Sequence, residues 1–304
     1  MPSRCNNRMY CCICYQKDVI VFKLIANIIK ETILLISELP YLKYINSSVG
    51  QPVPEFGNEG TAITKEVERR SKVKLALAIV VTGDSRTKIL DRFFAMPVYK
   101  GEVMPIVDFN KHDEHWYFIN GIMTNQEVFD VNLHGLSKLL NRPVMGLYNP
   151  SKGMYRDLVE SVIGRATDSL TPIARVMAQH LFYPVLSGKP IRIIGHSQGA
   201  IILSNVAKIL QSYGFELNNV EFFTIAGAHD EFPQVPMVEH FGNEKDYVYR
   251  IGAKHYQARI CGEQYVRDLG GHLLNRHYLT GINQGNYCSG RSRLYSHIQS
   301  KKEE

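Results

Sequence analysis

The sequence has 304 residues, of which 45% are hydrophobic and 21% charged, so it is too apolar to be largely disordered and long enough for one large domain with an added segment. Its net charge of +6 is spread along the chain without a long lysine or arginine run, which argues against nucleic acid as a partner. The same mild positive charge is compatible with an anionic membrane surface.

The cysteines are unevenly placed and do not predict a disulfide framework. Those of the N-terminal stretch are Cys5, Cys11, Cys12 and Cys14. Cys11 and Cys14 have the spacing of a metal-binding pair, but no second close pair follows, so we predict no metal site. Cysteines beside an apolar helix can also be acylated, although the simplest expectation is a reduced, weakly ordered N-terminus.

Residues 19–38 form the most hydrophobic stretch of the chain, and three charged residues interrupt it, so a simple membrane-spanning helix is not predicted. In a helix its polar residues fall near one stripe, and the remainder is apolar. Such a helix could lie in a membrane interface or pack its wide apolar face on the domain. No small-residue cleavage site follows, so a cytoplasmic or peripheral-membrane protein is favoured, while secretion remains open.

A stretch rich in proline and glycine separates this segment from the rest of the chain. We therefore predict an N-terminal extension over residues 1–50, a linker over residues 51–62, and the main domain over residues 63–304.

Short apolar runs alternate with segments of helical period along the main domain. The predicted strands are 115–122, 143–149, 191–196, 220–227 and 238–243. The predicted helices are 124–141 and 197–214, with one or two further helices over 154–182, and residues 73–81 fit either a strand or a helix. This alternation predicts a three-layer α/β domain with a mostly parallel central sheet.

The sequence Gly-His-Ser-Gln-Gly over residues 195–199 stands where an apolar strand ends and a helical pattern begins. A turn that sharp crowds its neighbours, so glycine is needed two positions either side of Ser197. The turn would also place Ser197 at a helix N-terminus, where a developing negative charge is stabilised. We interpret Ser197 as a nucleophile.

This stretch resembles the nucleophile elbow of the α/β-hydrolase superfamily, and its His-Ser-Gln version is similar to that of serine lipases and esterases. Only about nine residues, 228–236, separate the two strands after the serine helix. That is too short for a cap domain and resembles the compact lipase or cutinase-like branch. The resemblance implies an acid and then a histidine downstream of the serine.

The downstream sequence offers two candidates for the acid and three for the histidine, the third being His255, within nine residues of Asp246. Asp246 lies in an Asn-x-x-Asp-x-Val sequence similar to the acid loop of compact lipases, with Asp230 as the alternative acid. His272 follows Gly-Gly as in the final loop of the family, with His277 as the alternative histidine. The chemistry needs such a trio because a serine hydroxyl is a poor nucleophile until an imidazole accepts its proton.

Two backbone N–H groups are expected to stabilise the oxyanion that forms during acyl transfer. One is that of Gln198, and the resemblance assigns the other to the turn after the strand over residues 115–122, at Gly121 or Ile122.

These residues predict a serine hydrolase for acyl esters, with a lipid-like acyl group as substrate and no cofactor. An acyltransferase with the same triad is the first alternative, because the sequence does not show how well the site excludes water. A catalytically silent binding or effector protein with a hydrolase fold is the second.

Overall fold

The computed structural model describes residues 23–44, 114–121, 124, 126–149, 171–287 and 291–300. The predicted linker over residues 51–62, the segment 73–81, the start of the main domain and the four N-terminal cysteines lie outside these ranges, so those predictions remain predictions.

The described residues form one six-stranded sheet in which every strand pairing is parallel. The strands are β1 His115–Ile119, β2 Met145–Leu147, β3 Ile191–His196, β4 Val220–Ile225, β5 Val238–Asn243 and β6 Glu263–Arg267, in the order β2-β1-β3-β4-β5-β6. β3, β4 and β5 begin at the predicted residues, and nearly all of their side chains are buried, as expected inside a parallel sheet that is covered on both faces. β6 was not predicted.

Helices cover both faces of the sheet. The main ones are α1 over residues 23–37, α2 Gln126–Leu140, α3 Pro172–Leu186, α4 Gln198–Ser212 and α5 Arg293–Gln299. None of the helices in the described ranges is long and apolar enough to cross a bilayer. Within the stretch predicted as one or two helices over 154–182, α3 begins at Pro172, where Thr171 caps it by accepting a hydrogen bond from the Ala174 N–H. Residues 154–170 lie outside the described ranges.

Alternate side chains of each strand enter two separate hydrophobic cores. In β1, Tyr117 and Ile119 pack with α3 and α4 on one face, whereas Trp116 and Phe118 pack with α2 and the C-terminal helices on the other. This produces the three-layer α/β architecture that the alternation of elements predicts. The fold is α/β-hydrolase-like, with an N-terminal helical extension.

The amino end of the sheet is held by a network of charged side chains, which we call the amino-end network. Its members are Glu114, Arg142, Arg192, Glu221, Arg293 and His297. The Glu221 carboxylate on β4 accepts hydrogen bonds from Arg192 Nε at 3.1 Å and His297 Nε2 at 2.6 Å. Burial alone would raise the pKa of Glu221, but the hydrogen bonds from His297 and Arg293 and the nearby positive charges lower it to about 2. The network thus joins β3 and β4 to α5.

The N-terminal helix lies on the domain in the orientation opposite to the packing that we considered. Leu34 enters the core beside α3 and α4, but the wide apolar face of the helix points outward. Its contacts with the domain are made largely by the polar stripe, through residues that follow β5.

Candidate active site

The sharp turn between β3 and α4 is built as the glycine pattern predicts. Ser197 has φ of 58° and ψ of −122°, a strained conformation for a residue with a side chain. A Cβ atom on Gly195 would lie 2.7 Å from the Gly199 carbonyl oxygen, and one on Gly199 would lie 2.2 Å from the Ile119 carbonyl oxygen. Only glycine fits either position, because both distances are well below van der Waals contact.

The strained residue is fixed by backbone hydrogen bonds, two of which connect it to residues beyond α4. The Ser197 N–H donates to the Ile225 carbonyl at the end of β4 at 3.0 Å, and the Ser197 carbonyl accepts from the Ala228 N–H at 3.1 Å. The Ser197 side chain makes no capping hydrogen bond to α4. Its hydroxyl therefore remains available to the imidazole that faces it.

The structure brings Ser197, His272 and Asp246 together. Ser197 Oγ lies 3.1 Å from His272 Nε2, and His272 Nδ1 lies 2.9 Å from Asp246 Oδ2 and 3.1 Å from Oδ1. Because a carboxylate only accepts, Nδ1 carries the proton and Nε2 accepts from the serine hydroxyl. This is the tautomer in which an imidazole can act as the base for Ser197.

The carboxylate of Asp246 is fully buried and receives two further hydrogen bonds. The Val248 N–H donates to Oδ1 at 2.9 Å, and the Tyr278 hydroxyl donates to Oδ2 at 2.7 Å. Burial, followed by the negative charge of Asp246, raises the pKa of Tyr278 well above its ordinary value, so the phenol stays protonated as a donor. Tyr278 in turn accepts a hydrogen bond from the Asn243 N–H at 3.0 Å.

His196 holds the loop that carries His272. Its Nε2 lies 3.0 Å from the His272 carbonyl oxygen, and the two rings pack with centroids 4.9 Å apart. Burial and the proximity of His272 lower the pKa of His196 to about 3, so the ring is neutral and donates through Nε2–H. Sequence reasoning assigned no role to His196 or Tyr278, because both act through contacts with residues distant in sequence.

The turn after β1 lies directly against the serine. A Cβ atom on Gly121 would lie 2.4 Å from Ser197 Cβ and 2.9 Å from Oγ, so the chain approaches this closely only as glycine. The Asn149 side chain donates to Gln198 Oε1 at 2.9 Å, and the Asn149 N–H donates to Asn120 Oδ1 at 2.7 Å. These bonds join the β1 turn to the start of α4. The oxyanion roles of Gln198 and Gly121 remain predictions, and Ile122 lies outside the described residues.

The alternative acid and the alternative histidine each interact with residues outside the triad. The carboxylate of Asp230 forms an ion pair with Arg259 at 3.3 Å. His277 is buried in the helical turn Leu274–Leu279, where its Nδ1 accepts a hydrogen bond from the Leu273 N–H at 3.0 Å. The geometry therefore favours Asp246 and His272. Among the described residues, no group of three or more histidine, cysteine or acidic side chains is placed to hold a metal ion.

No protein-family model and no curated protein matches this sequence. Among solved structures, the RedJ thioesterase of the prodiginine pathway of Streptomyces coelicolor overlays on 75% of this chain and 99% of its own, with 15% identity and a TM-score of 0.38. A Pyrobaculum calidifontis esterase overlays on 62% of this chain and 76% of its own, with 12% identity and a TM-score of 0.36. The metagenomic carboxylesterase EstE1 overlays on 62% of this chain and 79% of its own, with 12% identity and a TM-score of 0.33. The fold assignment depends on the sheet order and the serine turn of this chain.

Proposed function

We propose that this protein is a serine hydrolase that cleaves acyl esters through a covalent intermediate on Ser197. The observation that carries the proposal is the hydrogen-bonded chain from Ser197 Oγ through His272 to Asp246, at 3.1 and 2.9 Å. A buried carboxylate, an imidazole in the tautomer that it fixes, and a hydroxyl at a helix N-terminus are the groups that acyl transfer requires.

In the proposed reaction His272 Nε2 takes the Ser197 proton while Oγ attacks the ester carbonyl carbon. Asp246 stabilises the imidazolium that forms, and the Gln198 N–H, with one from the β1 turn, stabilises the oxyanion. His272 then donates its proton to the departing alcohol, which leaves an acyl ester on Ser197. Water attacks that ester with His272 again as the base, and the carboxylic acid is released.

We further propose a lipid-like acyl ester as the substrate class. The support is an apolar segment close to the site: Tyr44, the last residue of the 3₁₀ turn Leu39–Tyr44, packs against Gly270, two residues before His272. A substrate with a hydrophobic chain would be concentrated beside such a surface. We expect p-nitrophenyl decanoate to have a kcat/KM at least tenfold above that of the acetate.

Labelling with a fluorophosphonate probe tests the activated serine directly. Wild-type protein should be labelled and Ser197→Ala should not, because only a deprotonated hydroxyl attacks the probe rapidly. Ser212→Ala is the matched control, since Ser212 lies at the far end of the same helix and donates to the Ile209 carbonyl. No labelling of folded wild-type protein would favour the silent scaffold. Release of ester products with added glycerol would identify an acyltransferase.

A further inference from the structure

The N-terminal segment has two faces with opposite chemistry. The face toward the domain carries Leu34 and two glutamates, of which Glu38 pairs with Arg250 and Glu31 accepts a hydrogen bond from the Tyr256 hydroxyl. The two acidic side chains, which an isolated amphipathic helix would turn to water, are therefore directed at the protein.

The opposite face is apolar and exposed to solvent. The side chains Ile25, Ile29, Ile33 and Ile36 recur at spacings of four, four and three, which places them on one side of α1. They are between 50% and 62% exposed, and Leu39 and Leu42 extend the same character into the 3₁₀ turn Leu39–Tyr44. We call this row the outer stripe. A row of large exposed aliphatic side chains marks an interaction surface.

The polar groups beside the outer stripe are of two kinds. The hydroxyls of Thr32 and Ser37 donate within the helix, to the carbonyls of Ile28 at 2.8 Å and Leu34 at 2.9 Å. Burial of these hydroxyls in an apolar phase would thus leave their donors satisfied. The exposed charged residues of the segment are all positive. They are Lys23, Lys30 and Lys43, but Lys30 Nζ lies 5.5 Å from the centroid of the Tyr256 ring of the domain, so the lysines considered for lipid contact are Lys23 and Lys43.

We propose that the outer stripe is a docking surface for an anionic phospholipid bilayer. The apolar row would enter the boundary between headgroups and acyl chains, and the lysines would meet lipid phosphates. Because Glu31 and Glu38 are turned inward, the surface offers the membrane positive charge without acidic groups of the same segment. The contact of Tyr44 with Gly270 would hold the loop of His272 close to the lipid, and this last consequence alone rests on the proposed function.

Co-sedimentation with vesicles tests the docking surface independently of catalysis. The full chain carrying Ser197→Ala is mixed with vesicles of phosphatidylcholine alone or with 30 mol% phosphatidylglycerol, a composition of about one anionic lipid in three. We expect binding to the anionic vesicles, weakened about 100-fold by Ile29→Gln/Ile33→Gln/Ile36→Gln. Lys23→Gln/Lys43→Gln should weaken it about tenfold on anionic vesicles only.

The matched control is Tyr183→Gln/Leu186→Gln, which removes two similarly exposed apolar side chains from α3. It should bind as the parent does, and near-ultraviolet circular dichroism should show that all variants keep the native fold. Equal loss of binding in the control, or no binding by the parent, would overturn the proposal. A parent that light scattering shows to be a dimer, and that the isoleucine variant makes monomeric, would assign the outer stripe to a second copy of the chain. All of these measurements use the Ser197→Ala background, so their results do not depend on ester hydrolysis.

Discussion

The two ends of the parallel sheet are built from different interactions. At the carboxyl end, Ser197 is strained, and the side chains around it are joined by directional hydrogen bonds to one buried carboxylate. At the amino end, the network around Glu221 joins strands and α5 through several opposite charges. The first arrangement positions the hydrogen-bonded side chains that we propose transfer a proton, and the second joins separate elements of the fold.

Because of this difference, we expect that substitutions can reduce activity and stability separately. A change in the amino-end network should destabilise the protein without moving the triad, and an isosteric change in the triad should do the reverse. The largest expected effect lies at the carboxyl end.

Asp246→Asn should lower kcat about 10³- to 10⁴-fold, because an amide facing His272 Nδ1 favours the wrong tautomer. The same substitution at the alternative acid is the matched control: Asp230→Asn affects a carboxylate paired with Arg259 and should change kcat less than threefold. Steady-state hydrolysis of a soluble p-nitrophenyl ester measures both. If Asp230→Asn had the larger effect, the assignment of the acid would be wrong.

Glu221→Gln should reduce the free energy of unfolding by about 3 kcal/mol, because it removes the carboxylate that Arg192, Arg293 and His297 share and leaves Arg192 paired with Glu114 alone. The value of kcat should stay within twofold, since the change lies at the amino end of the sheet. Glu263→Gln, at an exposed position where β6 begins, should change the free energy of unfolding by less than about 0.5 kcal/mol. Urea denaturation provides the comparison, and equal effects of the two substitutions would refute the role of the network.

As the pH falls, the stabilising contributions of the two ends of the sheet to the free energy of unfolding should be lost in different pH ranges. The pKa of His196 is about 3 in the folded protein and near 6.5 when unfolded, so below pH 6.5 the unfolded chain binds a proton that the native protein does not. The free energy of unfolding should fall by about 2 kcal/mol for this histidine between pH 7 and 5. His240, buried in β5 with a pKa of about 4, acts in the same direction.

Protonation of Glu221 affects the free energy of unfolding only at lower pH. Its pKa is lowered to about 2, so its stabilising contribution is complete above pH 4.5 and is lost as the pH falls toward 2. Urea titrations at half-unit pH intervals separate the windows. His196→Asn should flatten the slope between pH 6.5 and 4.5, while Glu221→Gln should flatten it only below 4.5; an unchanged slope in His196→Asn would contradict a buried neutral ring.

Tyr278→Phe should have the smallest effect, lowering kcat about tenfold with KM unchanged. The variant removes one donor from Asp246 Oδ2 and one acceptor from the Asn243 N–H, so the carboxylate is held less firmly against His272. Tyr287→Phe is its control, because the Tyr287 hydroxyl donates to Asn243 Oδ1 and not to the Asp246 carboxylate. We expect less than a threefold change in kcat there. A rise in KM without a fall in kcat for Tyr278→Phe would argue for a role in substrate binding instead.

The parts of the fold that sequence predicts best are those where burial and spacing coincide. β3, β4 and β5 are almost completely buried, with Arg192, Glu221 and His240 among their apolar side chains, and the glycine pattern around Ser197 reflects a steric requirement within five residues. β6 escaped prediction because its sequence is mostly polar and only its central Tyr265 is buried, as suits an edge strand.

Other features depend on which surfaces meet, and sequence does not carry that information. Helical period shows that Ile29 and Ile33 share one face of α1 and that Glu31 and Glu38 share another, but not which face meets the domain. The hydrogen bond from Arg250 to Glu38 shows that the glutamate face meets the domain, and these two residues lie 212 positions apart in the sequence. For the same reason the donors from His196 and Tyr278 could be found only in three dimensions.

The anchoring of Ser197 also bears on how this region opens to solvent. Its amide donates to Ile225 as if the residue extended the sheet, and Ser197 is only 2% exposed. Exchange of that amide with deuterium should therefore require separation of β3 from β4, an event close to global unfolding. The residue that we propose as nucleophile would then be among the slowest-exchanging positions of the chain, with its chemistry confined to a side chain on a rigid backbone.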